Sequence, residues 1–183
     1  EAMAGNVGLK VEWAEEIGLG DFPQALKTGR IDAYCTPLAQ VGSRARAVDF
    51  TVPVRYFPMF AYVRSDDKRF DGDMKRLDDP SVVFSVMDGE ISDLLVKKLF
   101  PKARTIQLSQ ISPASDLLNN VVTRKADVVV NEQSTVNAFL KNNPDSLKKV
   151  ENIPPVGVFG GGFANDESIM RRYRVFLERE GHQ

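Results

Sequence analysis

Apolar positions along this chain change period from block to block, and the changes divide it into short alternating elements. The pattern predicts strands over residues 9–14, 31–35 and 57–64, with a helix over 22–28 between the first two. A short helix opens near Ser43, and the run Phe50-Thr51-Val52-Pro53 reads as extended. Residues 65–80 are polar and charged, a loop with one short helix. A buried strand over 82–86 stops at Asp88-Gly89, and a helix over 92–100 turns Leu94, Leu95, Val96 and Leu99 inward before Pro101 ends it. Strand 105–108, helix 115–125, strand 127–131 and a helix over 134–142 ended by Pro144 follow. A last strand over 156–159, a flexible crossing at Gly160-Gly161-Gly162 and a helix over 167–180 complete the reading.

Repeated strand–helix alternation implies an α/β fold of parallel sheets with right-handed crossovers. Residues 58–160 contain a complete small α/β unit, and residues 1–57 with 161–183 form a second lobe. The chain crosses between them twice, near 57–61 and near 159–163. Three successive glycines at the second crossing tolerate large dihedral changes and suit a hinge, with a plain surface turn as the bland alternative.

Composition narrows the function classes. Lys and Arg total 24 and Asp and Glu 25, a formal net charge of −1, so no basic surface dominates and a nucleic-acid partner is not indicated. No apolar run approaches the ~18 residues that a membrane helix needs. The single cysteine, Cys35, excludes an internal disulfide framework and reads as a buried, inert thiol in an apolar strand. The single histidine, His182, lies in the terminal tail, which leaves no imidazole base. Arg171-Arg172-Tyr173-Arg174 reads as the solvated face of the last helix. No phosphate loop, nucleophile elbow, Cys–His pair or metal-ligand cluster is present, so no enzyme, metal or cofactor is indicated.

The segment 26–53 carries the chemistry. Gly29 follows the last apolar helical position, where a left-handed residue ends a helix. Arg44 then falls in the first turn of a helix that follows a strand, beside unpaired backbone N–H groups. A guanidinium in that setting suits a carboxylate, and so a small anionic or zwitterionic ligand. A surface arginine on a helix start accounts for the same residue. Arg46 points elsewhere, into solvent.

Leu26, Gly29, Asp32, Arg44, Val48, Asp49, Phe50 and Pro53 match, in order and spacing, the signature of the family 3 extracellular solute-binding proteins. These are the receptors of amino-acid ABC transporters. Thr123-Arg124-Lys125-Ala126-Asp127 before Val128-Val129-Val130 echoes the Gly-x-x-Asp part. The resemblance runs from about Leu9 to Gly181. It implies a type II periplasmic-binding-protein-like fold, with two lobes joined by a two-strand hinge and a ligand cleft beyond the carboxyl ends of the strands. It also implies a first strand and most of a helix ahead of Glu1 and a further helix after Gln183, so the chain reads as trimmed at both ends.

The same resemblance implies the site. Arg44 would clamp the ligand carboxylate, and Glu132, where the family most often has Asp, its α-ammonium. As a bland alternative, Glu132 is a helix N-terminal acid favoured by the macrodipole. In the loop 87–92, Glu90 and Ile91 replace the family's hydroxyls and Ser92 is the nearest one remaining. Ala39 and Val41 likewise stand at hydroxyl positions, Pro37 replaces a small residue, and Thr36 is left. Backbone groups around Thr36 and Ala39 would then assist Arg44, with Glu90 or Ser92 tuning selectivity. A Glu at 90 repels a carboxylate and attracts a cation, so the expected ligand is an amino acid or related amine with a further positive group. Trp13, Tyr56, Phe57 and Phe60 are aromatics for the core or for stacking on the ligand, and Tyr56 is the one that best suits the site. The reading is capture of an amino-acid-like solute outside the cytoplasm, periplasmic or extracellular, for delivery to a membrane permease. The rivals are a receptor's ligand-sensing domain and, from carboxylate chemistry at Glu90 and Glu132, a periplasmic dehydratase.

Overall fold

A computed structural model describes residues 2–6, 8–150 and 157–165. Its elements, in chain order, are α1 (Ala2–Asn6), α2 (Phe22–Lys27), β1 (Ala33–Ala39), α3 (Gly42–Ala45), β2 (Asp49–Phe50), β3 (Arg55–Arg64), a 3-10 turn (Met74–Leu77), β4 (Val83–Met87), α4 (Ile91–Leu99), β5 (Arg104–Leu108), α5 (Ala114–Val122), β6 (Val128–Glu132), α6 (Gln133–Leu140), β7 (Leu147–Lys149) and β8 (Gly157–Asn165). They divide into two compact units. The first takes the chain to Arg55 and again from Gly160, and the second runs from Tyr56 to Phe159. Strands β3 and β8 each carry the chain across that division.

In the first unit, β1 and β2 both pair antiparallel with β8. Phe22, Ala25 and Leu26, spaced as one face of a helix, bury α2 in a core with Ile17, Leu38 and Val48. Gly29 takes φ +70 and the Arg30 N–H returns to the Ala25 carbonyl at 2.9 Å, which closes the helix as its sequence predicts.

The second unit is built on the strand order β3-β6-β4-β5, with β7 added on β3. Strand β4 runs parallel to both β5 and β6, while β3 is antiparallel to β6 and β7. Leu117, Leu118 and Val121 of α5 and Val136 of α6 pack with Tyr62, Met87, Val129 and Leu147 into its core. Asn120, also on the buried side of α5, donates to the Ser85 hydroxyl at 3.2 Å.

Several expectations need correction. The sheets are mixed rather than parallel, because β1 and β2 pair antiparallel with β8, and β3 with β6 and β7, strands far apart in the chain whose pairing no local pattern reveals. Residues 9–14 form no strand, and Trp13 lies exposed instead of in the core. Helix α4 starts a residue earlier, so Ile91 is buried and Leu99 is exposed. The glycines 160–162 stand inside β8, where Gly161 pairs with Ala39 and Gly162 with Leu38, instead of forming a free crossing. The helix over 167–180, Arg171 to Arg174 and His182 lie outside the described residues.

Candidate functional site

Arg44 is held from below. Its residue is only 7% exposed, and Nη1 donates to the Ala39 carbonyl at 3.4 Å. The guanidinium stands 5.7 Å over the Phe22 ring, which stacks at 4.8 Å on Tyr34. The Tyr34 hydroxyl donates to the Ile17 carbonyl at 2.7 Å. Burial pushes the Tyr34 pKa up, while the nearby Arg44 charge pulls against that shift. An aromatic floor and one backbone carbonyl thus fix the cation at the end of β1. Its helix, α3, is a single turn of four residues.

Ala39 is therefore brought to Arg44, through its carbonyl. Thr36 is not: between Tyr34 and Leu38 the register slips, because four steps on β1 answer two on β8, and the intervening residues bulge out. Pro37, with no N–H to give the ladder, sits inside that bulge. Thr36 and Cys35 are both exposed as a result, which corrects the expectation of a buried thiol.

In the second unit the two acids occupy equivalent places. Glu90 is the N-cap residue of α4, after β4, and Glu132 closes β6 and is the N-cap residue of α6. Neither side chain caps its helix by hydrogen bonding to a backbone N–H. A hydroxyl holds each carboxylate instead. The Ser92 Oγ donates to Glu90 Oε2, and the Thr135 Oγ1 donates to Glu132 Oε1 at 3.3 Å. Ser92 is fully buried, whereas Glu90 and Glu132 keep part of their surface in solvent. The Glu132 N–H donates to the Asn131 Oδ1 at 2.8 Å. Asp93, the next acid along α4, is committed elsewhere, to Lys97 at 2.8 Å and to the Gln107 amide at 3.3 Å.

Tyr56 is the second residue of β3 and is 70% exposed, three residues before Met59, which pairs with Glu132. Phe22 under Arg44 and Thr135 beside Glu132 were not foreseen. For Thr135 the three-residue spacing from Glu132 was a readable signal. Among the described residues no cluster of three or more His, Cys, Asp or Glu is arranged to hold a metal ion, and no helix is long and apolar enough to cross a membrane.

The sequence model of the bacterial extracellular solute-binding proteins, family 3, matches residues 1–153. A probable histidine-binding protein of Campylobacter jejuni is 28% identical over 148 residues, which are 79% of this chain and 54% of that protein. The chain thus spans about half the length of this curated relative. Among solved structures, an ancestral arginine-binding protein bound to arginine superposes with TM-score 0.77 at 20% identity, over 99% of this chain and 80% of that one. An amino acid ABC transporter substrate-binding protein of Streptococcus pneumoniae bound to L-arginine gives TM-score 0.77 at 16% identity, over 99% and 76%. An ancestral amino acid-binding protein, a precursor of cyclohexadienyl dehydratase, gives 0.76 at 21%, over 99% and 77%. At these identities the likeness establishes the fold, the sheet flanked by helices of type II periplasmic binding proteins. The match over residues 1–153, added to that fold, makes this chain a member of the family 3 bacterial extracellular solute-binding proteins.

Proposed function

We propose that this protein reversibly binds a small amino-acid-like solute outside the cytoplasm and hands it to the permease of an ABC transporter. Arg44 takes the ligand's carboxylate and Glu132 its α-ammonium. The units act as lobes, with β3 and β8 as the strands between them. The protein binds without catalysing a reaction.

Arg44 carries this reading. Its guanidinium is almost buried, fixed at the end of a strand over an aromatic floor, and planar guanidinium is the side chain best matched to a carboxylate. A zwitterion needs a second, opposite charge, and Glu132 at the carboxyl end of β6 supplies it. The relatives fit this reading: one is a probable histidine-binding protein, and two solved neighbours hold arginine.

A thermal-shift screen of the protein against amino acids, polyamines, dicarboxylates and sugars tests it. At about 100 times its dissociation constant the right ligand adds roughly 2.7 kcal/mol of stability. At least one free amino acid gives that shift. Stabilisation by sugars or dicarboxylates alone, or by nothing in the panel, overturns the reading.

A further inference from the structure

We infer that Glu90 is the selectivity-determining residue of this site, that Ser92 positions it, and that the preferred solute therefore carries a second cationic group besides its α-ammonium. The inference rests on the function just proposed and adds the ligand class and the division of labour between the two residues.

Strands β4 and β6 are parallel neighbours, with Phe84 level with Val128 and Ser85 level with Val129. Carried two residues on, that register sets Met87, the end of β4, level with Asn131, the residue before Glu132. The two strands lie about 4.8 Å apart, so Glu90 and Glu132 open their helices on one edge of one sheet. The second unit thus presents two carboxylates on the same edge. Both are the N-cap residues of their helices.

An acid at a helix N-cap ordinarily accepts the helix's own backbone N–H groups, but neither of these does so. Each is turned to a hydroxyl instead, Glu90 to Ser92 and Glu132 to Thr135. Ser92 is fully buried, so its hydroxyl reaches the ligand only through Glu90. It is a positioning residue, and the partly exposed Glu90 is the group that meets solute. A carboxylate so fixed loses little freedom when a cation docks, and it repels a second ligand carboxylate. One carboxylate serves an α-ammonium, and two ask for a diamino or guanidino acid.

Calorimetric titration of the whole chain with two ligand pairs tests this. L-Lysine against L-norleucine and L-arginine against L-citrulline each differ by one positive charge at nearly constant shape. In at least one pair the charged member binds about 10- to 100-fold more tightly to the unaltered protein. Glu90→Gln brings the members of that pair within about threefold by weakening the charged one alone. Ser92→Ala removes part of the preference, and Ser92→Thr restores it, which a merely structural serine would not do. Equal affinity within both pairs, or a preference that survives Glu90→Gln, overturns the Glu90 assignment while leaving amino-acid binding intact. A preference untouched by Ser92→Ala overturns the positioning role. Binding of none of the four ligands overturns this inference, whereas the proposed function falls only if no amino acid in the thermal-shift panel binds.

Discussion

Asp127 and Val83 exchange two hydrogen bonds: the Asp127 N–H donates to the Val83 carbonyl at 2.7 Å, and the Val83 N–H donates to Asp127 Oδ2 at 3.0 Å. This pair joins the starts of β6 and β4, the two strands that lead to Glu132 and Glu90. The other carboxylate oxygen of Asp127 accepts from Arg69 at 2.5 Å and from Arg64 at 3.4 Å. Arg64, buried, also donates to the carbonyls of Val121 and Ala126, at 3.2 and 2.9 Å, and to Asp67 at 3.1 Å. One polar cluster thus ties β3, the loop after it, the end of α5 and both inner strands.

Removing Asp127 leaves a buried guanidinium short of a partner and breaks a strand-end hydrogen bond. Asp127→Ala should cost about 3 kcal/mol, read as a lower urea midpoint at unchanged slope. Asp127→Asn, which keeps an acceptor for Val83, should cost less.

Acid should undo the same cluster. Burial by itself would raise the pKa of Asp67 and of Asp127. Hydrogen bonds from Arg69, from the Arg69 N–H to Asp67 and from the Val83 N–H to Asp127, with the nearby guanidinium charges, outweigh it and leave both below the usual carboxylate value of 3.8. A depressed pKa in the fold means that the unfolded chain binds the proton more tightly. The stabilisation is therefore complete above about pH 4 and is lost as pH falls below 3.8 through the lowered values. Stability measured from pH 6 to pH 2 should fall steeply in that window, and Asp127→Asn should flatten the fall.

Tyr62 should respond in the opposite sense to most core residues. The residue packs in the core with Leu117, Val129 and Leu147, its buried hydroxyl has no hydrogen-bond partner among the described residues, and burial pushes its pKa up to about 12. Tyr62→Phe removes an unsatisfied polar atom and keeps the ring, so it should raise stability by about 1 kcal/mol. A clear loss in chemical denaturation would show that the hydroxyl is satisfied in solution.

Gly29 isolates a backbone effect. A Cβ built there meets no atom within 4 Å, so Gly29→Ala brings in the cost of the left-handed φ of +70 alone. Stability should fall by about 1 to 2 kcal/mol without change in ligand affinity.

The contrast between Gly29 and Arg124 shows how far the sequence could be read. Both residues hold left-handed backbone just after a helix, at φ +70 and +63, but only the glycine signals it. Arg124 adopts that conformation while donating to Asp66 at 2.8 Å across 58 positions, a partner no local pattern reveals. The strand–helix blocks of the second unit were legible because their apolar periods are strong. The bulge that exposes Thr36 and Cys35 was not, since it depends on β8, far along the chain. Glycines 160–162 read as a hinge or a surface turn by composition, and the strand pairing of Gly161 and Gly162 was not legible because it depends on β1, far along the chain. Arg44, Glu90 and Glu132 were singled out as candidates by position in a motif. The contacts of Phe22 and Ser92 with them came from packing and hydrogen-bond geometry, while that of Thr135 had a sign in its spacing from Glu132.

The central claim is that Arg44 and Glu132 bind opposite ends of one zwitterion. Its most direct test is calorimetric titration of the tightest amino acid from the screen into the unaltered protein, Arg44→Ala and Glu132→Gln, with melting curves confirming that each variant is folded. Each substitution should weaken binding about 30-fold or more, since a buried charged partner is lost. Affinity within about threefold of the unaltered protein in either folded variant would contradict the claim for that residue.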